Sequence, residues 1–190
     1  MSLKELWELF PIILKEHNPQ YKEWYKIGER QLSNCINNEY IKRINHIGSS
    51  AVEGLLSKPT VDILLEVGNN CHSVTLIESL KANGWILMSS EYEPDLRLVF
   101  NKGYTPDGFA EKTYHLHVRY MGDWDELYFR DYLIDHPDVA VQYGNLKLKL
   151  WKEYEHNRDG YTEAKTEFIK RYTEKAKSEY AGRYIPKNHT

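Results

Sequence analysis

A chain of 190 residues can bury one good core, and its formal net charge of −3 comes with both signs interspersed. That balance argues against a nucleic-acid footprint covering the whole surface while leaving room for a local basic pocket. Cys35 and Cys71 fall in different predicted elements without metal-ligand spacing, so no disulfide framework is implied and a reducing compartment is expected. The first residues interleave acids and lysines with apolar side chains, unlike a signal peptide or a membrane span, and the expectation is a cytoplasmic protein with no membrane partner.

Residues 2–16 place Leu3, Leu6, Trp7, Phe10, Ile13 and Leu14 at i, i+3, i+4 spacing behind Ser2, which predicts an amphipathic helix broken at Pro19. A second helix is expected from Tyr21 to about Asn37, with Trp24, Ile27, Leu32 and Ile36 inward. Ile44 to Ile47 reads as a short strand stopping at Gly48, where a tight bend is cheap. Ser49 and Ser50 are favoured helix caps, so Ala51 to Leu56 should form a helical turn whose free N–H groups point back at the bend, as in anion sites. Lys58 precedes Pro59, which ends that turn and forces an extended entry into Thr60–Val67, a β-branched and leucine-rich strand interrupted by Asp62 and Glu66.

Gly68-Asn69-Asn70 then makes a turn, and His72 to Ala82 a helix ended by Asn83-Gly84. Trp85–Ser89 and Arg97–Phe100 read as short strands around a loop containing Pro94, Asn101–Glu111 as a turn-rich connection, and Thr113–Tyr120 as a further strand. Helices are expected over Asp123–Ile134, from Pro137 through Leu150, and, beyond Gly160, from Thr162 to about Tyr180. Strands in the middle, helices at both ends and no repeat or linker predict a single α+β domain over residues 1–190.

Alternation along the strand puts Asp62, Leu64 and Glu66 on one face. An acid in so apolar a strand costs free energy unless something pairs with it. Two readings stay open: a carboxylate capping nearby backbone N–H groups, or a ligand for a metal or substrate set opposite the glycine-serine turn. Tyr114-His115-Leu116-His117-Val118-Arg119 likewise puts His115, His117 and Arg119 on one face of a strand, where two imidazoles can share a metal or a phosphate, or simply bond to backbone. Arg97 and Lys102 could neutralise phosphate oxygens or form solvated charge pairs. Arg130 and Asp131 read as a structural pair between helices, and Lys147 as a weak candidate for reaching a substrate.

The run His46-Ile47-Gly48-Ser49-Ser50-Ala51-Val52, continued by Gly54-Leu55, Lys58-Pro59 and Asp62-Ile63, closely resembles the signature of the GrpB-like family (UPF0157 type), and His115-Leu116-His117-Val118 resembles its second hallmark. That family is similar to the polymerase-beta type of nucleotidyltransferase, and relatives occur fused to bacterial dephospho-CoA kinases. The resemblance implies a nucleotidyltransferase-like mixed β-sheet flanked by N-terminal and C-terminal helices. It implies a nucleotide or a small phosphorylated molecule as partner, bound by Gly48, Ser49, Ser50, Lys58, Arg97 and Lys102. It also implies a divalent metal (magnesium, manganese or zinc) on Asp62, His115 and His117, with Asp62 and His117 catalytic and His117 in the place of the third acid.

One departure matters. Active polymerase-beta-type enzymes carry acid, apolar, acid on this strand, whereas here Asp62 is followed two residues on by Leu64. Glu66 shares the face but lies about 7 Å beyond Leu64 at strand rise. Mixed Asp/His ligation would favour a transition metal over magnesium. Three function classes therefore stand: a metal-dependent transferase of nucleotidyl groups to a small molecule, a catalytically degenerate nucleotide- or cofactor-binding module linked to coenzyme A metabolism or protein folding, and a His-based hydrolase or transferase. Arg119 stands where a histidine triad needs its third histidine, which ranks the last lowest, and Gly48-Ser49-Ser50 lacks the second glycine of a nucleophile elbow.

Overall fold

Thr60–Val67 (β2) is the strand around which the sheet assembles. Its β-branched and leucine side chains bury both faces, and from Ile63 to Val67 every residue is buried. The structure is a computed structural model and describes residues 9–155 and 157–187. Ile41–Ile47 (β1) pairs antiparallel with one edge of β2, and Gly108–Tyr120 (β5) pairs parallel with the other. Arg97–Thr105 (β4) and Ile86–Glu91 (β3) continue antiparallel, for a five-stranded mixed sheet in the order β1-β2-β5-β4-β3.

Two helices, Tyr21–Cys35 (α1) and Ser73–Ala82 (α2), cover one face. There Trp24, Leu32, Leu76 and Leu80 pack on Val61, Ile63, Leu65 and Phe100 in the main core. Gly28 is what lets α1 approach, since a Cβ there would sit 2.9 Å from Ile63 Cδ1. The opposite face is covered on its β1/β2 side by helices that follow the sheet in sequence: Asp125–Asp135 (α3), Pro137–Glu153 (α4), Arg158–Glu163 (α5) and Thr166–Glu179 (α6). Leu127 of α3 is buried against Ile47 and Leu64, while α3, α4 and α6 share a second core built on Tyr132, Tyr143, Tyr172 and Ala176.

Four expectations need correction. Residues 1–8 of the predicted first helix lie outside the described residues; from Phe10 onward the chain is not helical, and Lys15 instead bridges to Ser57. Pro11, well before Pro19, already opposes helix in this stretch, because proline lacks an N–H and disfavours helical backbone in the residue before it. The helical turn expected over Ala51–Leu56 is a single 3₁₀ turn, Ser49–Ala51. The connection expected over Asn101–Glu111 is a β4–β5 hairpin closed by Pro106-Asp107 with Thr105 opposite Gly108, so Lys102 lies in a strand rather than in a turn-rich connection. Gly160 sits inside α5 instead of separating two helices.

Candidate functional site

A cleft opens where the uncovered part of the sheet meets the later helices. It has two lobes, of about 860 and 420 Å³, that share Gly48, Ser49, Asp62, His117 and Tyr143 as a common wall. The larger lobe adds Arg97, Trp124, Phe129 and Ile169; the smaller adds Lys58, Lys147, Arg158 and Lys165. Sheet register explains the wall. Asp62 stands opposite Ile47 on one side and His115 on the other, one residue beyond β1 lies Gly48, and His117 follows two along β5.

Gly48 takes φ 71° and ψ −171°, a conformation open almost only to glycine. A Cβ there would fall 2.5 Å from Asp62 Oδ2, so the missing side chain also makes the space in which the carboxylate lies. Asp62 Oδ1 is 3.1 Å from His115 Nδ1, and His115 Nε2 is 2.6 Å from the Tyr104 hydroxyl, giving an Asp62–His115–Tyr104 chain. Burial would push the Asp62 carboxyl up, but the hydrogen bond from His115 and the nearby His117 and Lys58 charges outweigh it and hold the group below the ordinary carboxylate value. His115, rather than His117, is thus the imidazole bonded to the acid. Burial lowers the His117 ring below its ordinary value, which keeps it neutral near pH 7.

The remaining predicted residues divide. Ser49 Oγ accepts from Lys147 Nζ at 2.9 Å, whereas Ser50 is buried with its hydroxyl 3.0 Å from His46 Nε2. Lys58 lines the smaller lobe with its ammonium over the Tyr161 ring, and Arg97 lines the larger with its guanidinium 5.7 Å from the Trp124 ring. Lys102 is not brought into the cleft. Its ammonium lies behind the sheet, 3.0 Å from both Gln31 Oε1 and the Asn83 carbonyl. Glu66 is spent elsewhere, fully buried in a bidentate pair with Arg43.

Sequence reasoning missed Lys165, Arg158, Tyr161 and Tyr104. The first three come from the last helices, and no local pattern links them to a glycine turn 100 residues earlier. Tyr104 did leave a signal: Thr105-Pro106-Asp107-Gly108 is a turn sequence with a mechanism, and it predicts a hairpin with Tyr104 on its strand.

The lysines crowd one another. Burial, then the Lys165 and Lys58 charges, lower Lys147 from 10.5 to about 7; burial, then Arg158, lowers Lys58 to about 8; burial, then Lys58, lowers Lys165 to about 8. A lysine whose folded value is depressed binds its proton more weakly folded than unfolded, so stability should rise as pH goes from about 7 to about 9. Above that the thiols of Cys35 and Cys71, raised by burial, oppose the trend. Unfolding midpoints measured across this range check the rise, and Lys147→Met should flatten it.

A nucleotidyltransferase-like fold implies divalent cations held by paired carboxylates. The donors present do not fit that arrangement. Leu64, at the second acid's place, is fully buried under α3; Glu66 is paired with Arg43; both ring nitrogens of His115 are engaged. Among the described residues no three His, Cys, Asp or Glu side chains converge as a metal site. Nor is any helix among them long and apolar enough to cross a membrane.

Known proteins agree with this architecture. The chain is 34% identical over 163 residues to the glutamate-rich protein GrpB of Alkalihalophilus pseudofirmus, covering 83% of this chain and 91% of that one. It is 30% identical over 170 residues to the UPF0157 protein YqkA of Bacillus subtilis, covering 88% of this chain but 48% of that longer relative. The crystal structure of conserved protein GrpB from Enterococcus faecalis superposes with a TM-score of 0.77 at 27% identity, over 88% of this chain and 99% of the other. A Cid1 poly(U) polymerase structure with Mg 3'-dATP bound superposes at 0.51 with 12% identity, over 85% of this chain and 51% of that one, which extends the likeness to the nucleotidyltransferase fold alone. Residues 11–175, from Pro11 through most of α6, match the model of the family described as GrpB protein, and with the glycine turn, Asp62 and the His115–His117 strand all inside that span, the chain belongs to the GrpB family.

Proposed function

We propose that the protein binds a nucleotide, or a small phosphorylated molecule, across this cleft. Its phosphates would lie in the smaller lobe against Ser49, Lys58, Lys147 and Lys165, and its apolar part in the larger lobe against Trp124, Phe129 and Ile169. One observation carries the reading: a glycine-serine turn, an acid and several cations from five separate chain segments converge on one wall. Such a cation cluster beside an apolar hollow is the chemistry that recognises a nucleoside phosphate.

Binding without turnover by the two-cation route is the reading these residues support best, because Leu64 and the Arg43-paired Glu66 leave Asp62 as the one carboxylate at the turn. Nucleotidyl transfer to a small-molecule hydroxyl is the second reading. The Asp62–His115–Tyr104 chain favours it, since a carboxylate-oriented imidazole can take up and release a proton at its other nitrogen. Fluorescence-monitored melting with each nucleoside triphosphate in magnesium buffer should raise the midpoint for at least one of them. Phosphorus NMR of the same mixtures then separates the two readings, pyrophosphate release supporting transfer. Asp62→Asn, which keeps the shape, should abolish any such release, and full activity in that variant would remove Asp62 from the chemistry.

A further inference from the structure

We infer that the smaller lobe grips the polyphosphate of its ligand with protein cations alone, so that binding needs no bridging divalent ion. The inference rests on the nucleotide reading above and sharpens it.

A phosphate monoester carries about −1.5 to −2 charge at neutral pH, and four cationic side chains line this lobe: Lys58, Lys147, Arg158 and Lys165. Buried ammonium groups are normally paired. Here the lysine ion pairs among the described residues are made by Lys26, Lys112 and Lys177, not by these three. Lys147 is 3% exposed and donates to Ser49 Oγ and to the Leu56 carbonyl, neutral acceptors both. Lys58 and Lys165 instead hold their ammonium groups 5.5 and 4.3 Å from the centre of one ring, Tyr161. Pinning the turn to α4 would account for Lys147. It does not account for two further cations kept close to it at the cost of mutual repulsion. An anion that discharges all of them does.

The acid side of the lobe points the same way. Asp62 directs Oδ1 to His115, and its Oδ2 lies against the Gly48 backbone, in the space a Cβ would take. The smaller lobe thus sets four cations against two carboxylates, Asp62 and Asp159, and Asp62 is already bonded to His115. Arg and Lys contacts to phosphate are charge-assisted and shorter than neutral bonds, so several together replace the charge neutralisation that an ion otherwise supplies.

The test is calorimetric titration of the full chain with an imido-linked nucleoside triphosphate and with inorganic tripolyphosphate, each in EDTA and in excess magnesium. The expected result is a Kd in EDTA within about threefold of that in magnesium, with Lys165→Met and Lys58→Met each weakening both by about tenfold or more without lowering the melting temperature, since each removes a repelling charge. Equal affinity for tripolyphosphate would support the inference and name free polyphosphate as the ligand; tighter binding of the nucleoside triphosphate would support it and name the nucleotide. Binding seen in magnesium but lost in EDTA overturns the inference and leaves the nucleotide reading standing. Absence of binding in both buffers overturns the nucleotide reading itself.

Discussion

Arg43→Leu should destabilise the protein by about 3–5 kcal/mol, the largest effect expected from any single side chain. Glu66 is fully buried in the central strand, where an uncompensated carboxylate is very costly. Arg43, opposite it on β1, meets it with both Nε and Nη2, the latter at 2.7 Å, and also donates to the Gly122 carbonyl at 2.8 Å. The Gly122 N–H completes the carboxylate's shell at 3.1 Å. Removing the guanidinium leaves Glu66 with one neutral donor. For a chain of this length the loss corresponds to a fall of roughly 6–20 °C in the melting midpoint. Chemical denaturation of Arg43→Leu and of the double variant with Glu66→Leu checks the cause: replacing both partners removes the buried charge, so the double variant should recover most of the loss. A double variant as unstable as Arg43→Leu would show that the side chains matter for packing and not for charge.

Gly48→Ala should cost about 2–4 kcal/mol, from the glycine-only backbone conformation and from overpacking against Asp62. The added methyl must displace a carboxylate oxygen 2.5 Å away and its Cβ 3.2 Å away, and Asp62 can only yield by breaking its bond to His115. The effect therefore separates from ordinary loop strain by its second consequence. A variant still folded at low temperature should lose the proposed nucleotide binding as well as stability, and the His115 ring signals should shift in the NMR spectrum as the ring loses its carboxylate partner. Unchanged His115 ring signals would mean that the turn yields and the carboxylate stays.

The glycine turn, its serine and Asp62 could be recognised in the sequence because turn and strand are local: positive φ asks for glycine, and a β-branched run asks for a strand. The boundaries of β2 came out as Thr60–Val67 in both readings for that reason. Lys102 shows where locality misleads. Beside Arg97 and Gly103 it looks like a phosphate contact, but strand alternation sends it to the α1 face, and the hairpin that sets the alternation is closed by Pro106-Asp107 farther along. Pro11 shows the converse, a local signal against helix in residues 10–16, through which the apolar spacing alone would have drawn one.

The amino-acid sequence by itself determined the family, the α+β order of elements, and the acid and imidazoles on two strands, since each depends on residues near one another in the chain. Only the tertiary structure decided which groups answer Asp62: parallel pairing of β2 with β5 gave it His115, and folding of α4 to α6 over the turn brought Lys147, Arg158 and Lys165 to the lobe beside it. Charges from segments 100 residues apart meet only after the core has formed, so no pattern in the chain records their meeting.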